Sequence, residues 1–173
     1  MVKLEQLHYP AALKNKRVET AYTIEIKTSP DKIFPLACPV EELRWIPDWE
    51  YQLIYSRSGV NEPGCIFTEN VSGPAIFGRP VTTTWVTTLH DPDKHRITFL
   101  LIMSNQAVLK WSFQARETGV ASSTCTWHLV FTALDEEANG LDENNIENSL
   151  TLILSFLSDC LKHYCETGTI ITL

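Results

Sequence analysis

Glu69 is the residue whose setting in the sequence comes closest to chemistry. By strand alternation it shares a face with Cys65 and Phe67. If that face points inward, burial raises the carboxyl pKa toward neutrality, the condition for a general acid or base working beside a carbonyl. Asn70 and Ser72 follow at once, as at an exposed strand end, and a single bulge would reverse the facing. A group of hydroxyls comes next: Thr82, Thr83, Thr84, Thr87 and Thr88. Threonine favours strands, so most of these read as outer-face residues, and only Thr83 and Thr87 fall on the odd-numbered face as hydrogen-bond partners for a ligand.

Cys160, His163 and Cys165 offer metal-ligand side chains, but Cys165 lies about 140° around a helix from Cys160, and no fourth ligand completes a tetrahedral set. His90 and His95 flank a turn and His128 falls on a polar strand face, so each reads as a solvated histidine. No Ser-His-Asp order, glycine-rich phosphate loop or dinucleotide fingerprint is found. No cofactor and no metal site is expected.

The elements that must position these residues follow from patterning. Ala21 to Lys27 alternates, with Tyr22, Ile24 and Ile26 on one face. Ser29-Pro30 reads as a helix start, and the breaker-rich segment CPVEELRWIPDWE, Cys38 to Glu50, reads as a second short helical piece over Val40 to Trp45. Tyr51 to Ser58 and Cys65 to Glu69 make a hairpin around Asn61-Glu62-Pro63-Gly64. Four longer strands follow, with Val81, Trp85 and Leu89, then Ile97, Phe99, Leu101 and Met103, then Leu109, Trp111 and Phe113, then Cys125, Trp127, Leu129 and Phe131 on one face. A sheet apolar on one side must be covered, and the cover is a long C-terminal helix with Asp142 as cap and Gly168 past its end. Ile146, Leu150, Ile153, Leu157, Leu161 and Tyr164 form its stripe.

Composition narrows the classes. A chain of 173 residues with 44% hydrophobic and 20% charged residues is ordinary for one compact soluble domain. The formal charge of -7, with acidic residues gathered at Asp135 to Glu147 and no run of Lys or Arg, argues against nucleic acid as a partner. With neither a signal peptide nor a membrane-spanning stretch in the pattern, and five cysteines read as reduced thiols, a cytoplasmic protein without integral membrane association is expected.

The element order, strand, two short helices, six antiparallel strands and a long helix, resembles the helix-grip fold of the SRPBCC superfamily, which holds START domains, birch-pollen-allergen-like proteins and polyketide cyclase/dehydratase relatives. The stretch SPDKIFPLACPVEELRWIPDWEYQLIYSRSGVNEPGCIFTEN, with DPDKHRITF, TWHLVFTALDEEANG and HYCETG, is similar to an uncharacterised bacterial branch of that group. The resemblance covers roughly residues 19 to 173, leaving 1–18 as an N-terminal extension. It implies an α+β domain in which a curved seven-stranded antiparallel sheet wraps the C-terminal helix. Glu69 departs from the branch pattern, which has a small or hydroxyl residue there.

Members of this superfamily typically keep a cavity between sheet and helix. The resemblance therefore implies binding of a small hydrophobic or amphipathic molecule of lipid, polyketide or aromatic type. Tyr51, Tyr55, Phe67, Trp85, Phe99, Trp111 and Trp127 would make the wall, with Ile153 and Leu157 from the helix. Thr83, Thr87, Tyr51, Tyr55 and Glu69 would orient the polar end. Trp45 and Trp49, with the Gly73 to Pro80 loop, would form the lip. The same aromatics could instead fill the core. Two rivals stand beside binding: a cyclase or dehydratase with Glu69 as base, and a protein-interaction module with a filled cavity. Oligomeric state, including a homodimer, stays open.

Overall fold

A computed structural model describes residues 15–71 and 76–172. The expected extension lies outside the described residues as far as residue 14, and so do the first three residues of the Gly73 to Pro80 loop. The chain begins with β1 (Arg17–Ile26), followed by α1 (Pro30–Ile33), which tightens into a 3-10 turn over Phe34–Leu36, and by α2 (Pro39–Glu42). Proline opens both short helices, where its missing N–H costs nothing. The second lies one residue earlier than expected and is shorter, ending in turns that carry Trp45 into the interior.

The remaining strands are β2 (Gln52–Tyr55), β3 (Ile66–Val71), β4 (Val81–Asp91), β5 (Arg96–Met103), β6 (Ala107–Gly119) and β7 (Ser122–Ala133). They form one seven-stranded sheet in the order β1-β7-β6-β5-β4-β3-β2, antiparallel at every pairing. Neighbours in sequence are therefore neighbours in space, except that β1 closes against β7.

Register sorts the inner face into rows that cross the sheet. One runs Phe67, Trp85, Leu101, Leu109, Phe131, Val18. The row beside it runs Glu69, Thr83, Met103, Ala107, Ala133. The first is made of large apolar side chains, whereas the second is polar at one end and small at the other. The odd-numbered face of β3 to β7 is thus the buried one, as alternation predicts.

Two elements close the chain: α3 (Glu136–Gly140), a short helix that the sequence reading did not resolve, and α4 (Glu143–Thr167). Asp135 caps α3 by accepting from the Ala138 N–H at 2.8 Å, and Asp142 caps α4 by accepting from the Asn145 N–H at 3.0 Å. Gly168, at φ 75°, ends α4 in the left-handed conformation that glycine adopts without strain. At about 1.5 Å per residue α4 is roughly 37 Å long, enough to cross the sheet. Its buried line is Ile146, Leu150, Leu154, Ser158 and Leu161, so the stripe runs through Leu154 and leaves Ile153 and Leu157 half-buried beside it. The helix is tied to β1 by Tyr22, whose hydroxyl donates to Ser155 Oγ at 3.4 Å.

Candidate functional site

Phe67, Trp85, Phe99 and Trp111 form a connected aromatic group on the inner face of β3 to β6. Phe67 stacks on Trp85 with ring centres 5.3 Å apart, and Trp85 meets Phe99 at 5.4 Å and Trp111 at 5.5 Å. Tyr51 adds an edge-on contact to Phe67 at 6.2 Å. Trp127 belongs to a separate pair with Phe113, at 4.9 Å. The structure thus brings together Tyr51, Phe67, Trp85, Phe99 and Trp111 and sets Trp127 apart, nearer β1.

Inside this wall sits a set of buried polar groups. Glu69 is 7% exposed and Thr83 1%. They face each other directly across β3 and β4, and the next pair along is Phe67 and Trp85. Among the described residues, Glu69 Oε2, Thr83 Oγ1 and Trp85 Nε1 have no hydrogen-bond partner of normal geometry. The Trp85 N–H is close enough to Glu69 to favour its ionised form slightly, but burial outweighs that and pushes the carboxyl up to about 8. Thr87 is placed differently, since its hydroxyl donates to Asn61 Oδ1 at 2.6 Å and is satisfied within the protein.

Glu42, at the end of α2, was not singled out from the sequence. The backbone N–H groups of Trp45 and Ile46 both donate to its carbonyl, which puts those two core residues on the inward side of the same turn. Burial is the larger cause raising the Glu42 carboxyl to about 8, and the charge of Glu69 raises it further. Glu42 nevertheless keeps part of its surface accessible. Its helix is four residues long, so no periodicity in the sequence marks the face it lies on.

Several expected site residues are elsewhere. Tyr55 is 55% exposed. A register shift between Leu53 and Tyr55 breaks the alternation on the edge strand, so Tyr55 turns outward while Tyr51 stays half-buried against the core. Trp45 is no rim residue either. It is 2% exposed, and its indole N–H donates to the Leu36 carbonyl at 2.9 Å, pinning the segment after α1 to the core. Trp49 is half-buried and donates to the Pro39 carbonyl at 2.9 Å. Ile153 and Leu157 flank the buried line of α4, where Ser158 Oγ is a further buried atom without a partner.

The histidines were expected to be solvated. His90 packs on Phe34 at 5.2 Å instead, and His95 joins Phe34 edge-on while bonding Asp31 at 2.8 Å. His128, on the outer face, bonds Glu19 at 2.6 Å. Of the expected lip, Arg79 is described and bonds both Gln106 and Glu137, which fastens that stretch to α3. Among the described residues no three His, Cys, Asp or Glu side chains are grouped to hold a metal ion.

Two concavities contrast with the interior. One of about 210 Å³ lies on the outer sheet face between Arg96, Ser112, Gln114, Arg116, Thr126 and His128. Its polar groups are largely engaged with one another or with Asp91 and Glu19. The other, of about 10 Å³, holds at most one water and lies between α2 and the β2–β3 hairpin, against Tyr51, Cys65 and Phe67.

A long helix laid across the inner face of a seven-stranded antiparallel sheet, with short helices between the first two strands, decides the architecture. The chain has the helix-grip fold. A START superfamily protein from Mycobacterium smegmatis superposes with a TM-score of 0.68 over 87% of this chain and 99% of its own, at 13% identity. Norcoclaurine synthase from Thalictrum flavum gives 0.65 over 96% and 98%, at 14% identity. The Zhui aromatase/cyclase from Streptomyces sp. R1128 gives 0.63 over 87% and 94%, at 11% identity. These likenesses agree with the SRPBCC resemblance of the sequence. No family model matches the chain, and no curated protein matches it. Among the described residues no helix is long and apolar enough to cross a membrane.

Proposed function

We propose that this helix-grip protein binds a small amphipathic molecule, whose apolar body lies against Tyr51, Phe67, Trp85, Phe99 and Trp111 and whose polar end meets Glu69 and Thr83. One observation carries this reading: three unpartnered polar atoms, Glu69 Oε2, Thr83 Oγ1 and Trp85 Nε1, lie together inside an aromatic wall. A buried polar group left unpaired costs about 1–3 kcal/mol, so a set of them is retained for a partner. The neighbours support binding in general: their names include a START superfamily protein and an aromatase/cyclase.

Native mass spectrometry of freshly purified protein, with organic extraction, tests the proposal. The expected result is an added mass of a few hundred daltons that apolar competitors displace. A clean apo mass, together with no rise in melting temperature across a broad apolar library, would overturn it.

The raised proton affinity of Glu69 favours a second reading, a cyclase or dehydratase in which this carboxyl moves a proton beside a substrate carbonyl. Glu69→Gln then abolishes turnover and leaves binding largely intact; equal loss of both contradicts the assignment. An interaction module would use the exposed apolar residues near β2, Leu53, Ile54, Tyr55 and Val60. That reading leaves the buried unpartnered groups without a purpose.

A further inference from the structure

The polar groups left unpaired inside the wall differ in what they give and take, and that restricts the head group they can meet. Glu69 and Thr83 face each other directly across β3 and β4, which sets their Cβ atoms about 5 Å apart. Trp85 is the next residue of β4 on that face, on the diagonal from Glu69 that long side chains span. All three are buried, Glu69 and Trp85 at 7% exposure and Thr83 at 1%. The Trp85 indole is packed against Phe67 at 5.3 Å, Phe99 at 5.4 Å and Trp111 at 5.5 Å, so its N–H is not free to turn toward another partner.

The indole N–H only donates, and the Thr83 hydroxyl gives one proton as well as accepting. Glu69 is a donor too. A carboxyl enclosed by protein, with no Lys, Arg or His paired to it among the described residues, keeps its proton rather than hold a buried charge. Its raised proton affinity agrees with this. An ammonium is therefore a poor match, since it brings only donors to a set of donors. A carboxylate accepts, but it carries a charge into an aromatic wall where no described cation balances it. A carbonyl oxygen brings two lone pairs, no proton and no net charge.

We infer that Trp85, Thr83 and Glu69 form a hydrogen-bond-donor head and that it takes a neutral carbonyl oxygen, so that the ligand is an apolar or aromatic ketone, ester or amide. The inference rests on the binding reading above and names the functional group bound. Trp85 then has two tasks: its ring belongs to the wall, and its N–H fixes the position of the ligand oxygen.

Titration calorimetry of the full chain at pH 6.5 tests this with probes that share an aromatic body: 4-phenylbutan-2-one, 4-phenylbutan-2-amine, 4-phenylbutanoate and butylbenzene. The ketone should bind about tenfold more tightly than butylbenzene, and more tightly than either charged probe. Trp85→Phe keeps a ring and removes the N–H; it should weaken the ketone about fivefold and leave butylbenzene within about twofold. Glu69→Leu should act in the same way, whereas Glu69→Gln, whose amide still donates, should keep the ketone within about twofold of the wild type. An amine or carboxylate bound more tightly than the ketone, a ketone bound no better than butylbenzene, or a ketone unaffected by both Trp85→Phe and Glu69→Leu overturns the donor head while leaving apolar binding intact. If none of the probes binds, the molecule extracted from purified protein decides: one with a neutral carbonyl upholds the inference, and one without it overturns it. With no probe bound and nothing extracted, the binding reading fails as well.

Discussion

The inner face of the sheet has two ends built on opposite rules. Toward β6, β7 and the first half of α4 it is apolar and filled. Leu129, Phe131, Ala133, Leu150 and Leu154 are each 0% exposed, and hydrocarbon meets hydrocarbon. Toward β3 and β4 the same face carries Glu69, Thr83 and Thr87, with Asn61 behind them, and several of their polar atoms go unpaired. Backbone pairing is continuous from one end to the other, so the difference lies in side chains alone. The filled end holds the fold together, while the polar end carries a stability cost that is explained if it is kept for something that binds.

Substitutions should therefore act with opposite sign at the two ends. The largest loss is expected in the filled end: Leu150→Ala should cost about 3–4 kcal/mol, read from the denaturant midpoint, because the sheet and helix cannot collapse into the space left behind.

At the polar end the effect depends on pH. Glu69 has a folded pKa near 8, above its ordinary carboxyl value, so between roughly pH 4.5 and 8 the native state holds a proton that the unfolded chain has released. Stability contributed by this group is full below that window and is lost as pH rises through it. Glu69→Gln should match the wild type near pH 4.5 and exceed it by on the order of 2 kcal/mol at pH 8.5, in denaturation curves taken at both. A variant less stable than the wild type at pH 8.5 would mean that the carboxylate has a partner in the folded protein.

Smaller effects define the border between the ends. Trp45→Phe keeps an aromatic ring but leaves the Leu36 carbonyl unpaired, and should cost about 1–2 kcal/mol in the same measurement. Tyr55→Ser, on the exposed edge strand, should stay within about 0.5 kcal/mol and leave ligand affinity unchanged.

Much of the filled end was legible in the sequence, because β-strand alternation over eight or more residues is hard to mistake and Asp142 and Gly168 punctuate α4. The polar end was legible only in part. Glu69 and Thr83 stood out by alternation, but Glu42 sits on a four-residue helix, too short for any periodicity to show a face. Tyr55 was misplaced because one irregularity on a four-residue strand reverses all that follows. The buried line of α4 passes through Leu154 rather than Ile153 because either residue continues a helical stripe, and only the sheet beneath decides between them. The gap between Trp45 at a rim and Trp45 in the core has the same origin. Its indole partner, the Leu36 carbonyl, is nine residues away on a different turn.

Carbon-13 NMR of the glutamate carboxyl groups in the ligand-free protein, from pH 4 to 10, tests the central claim most directly. The account predicts that Glu42 and Glu69 both titrate near pH 8, and that replacing Glu69 lowers the Glu42 midpoint. If Glu42 and Glu69 instead titrate near pH 4.5, the polar end is solvated or paired, and no unmet group waits there for a ligand.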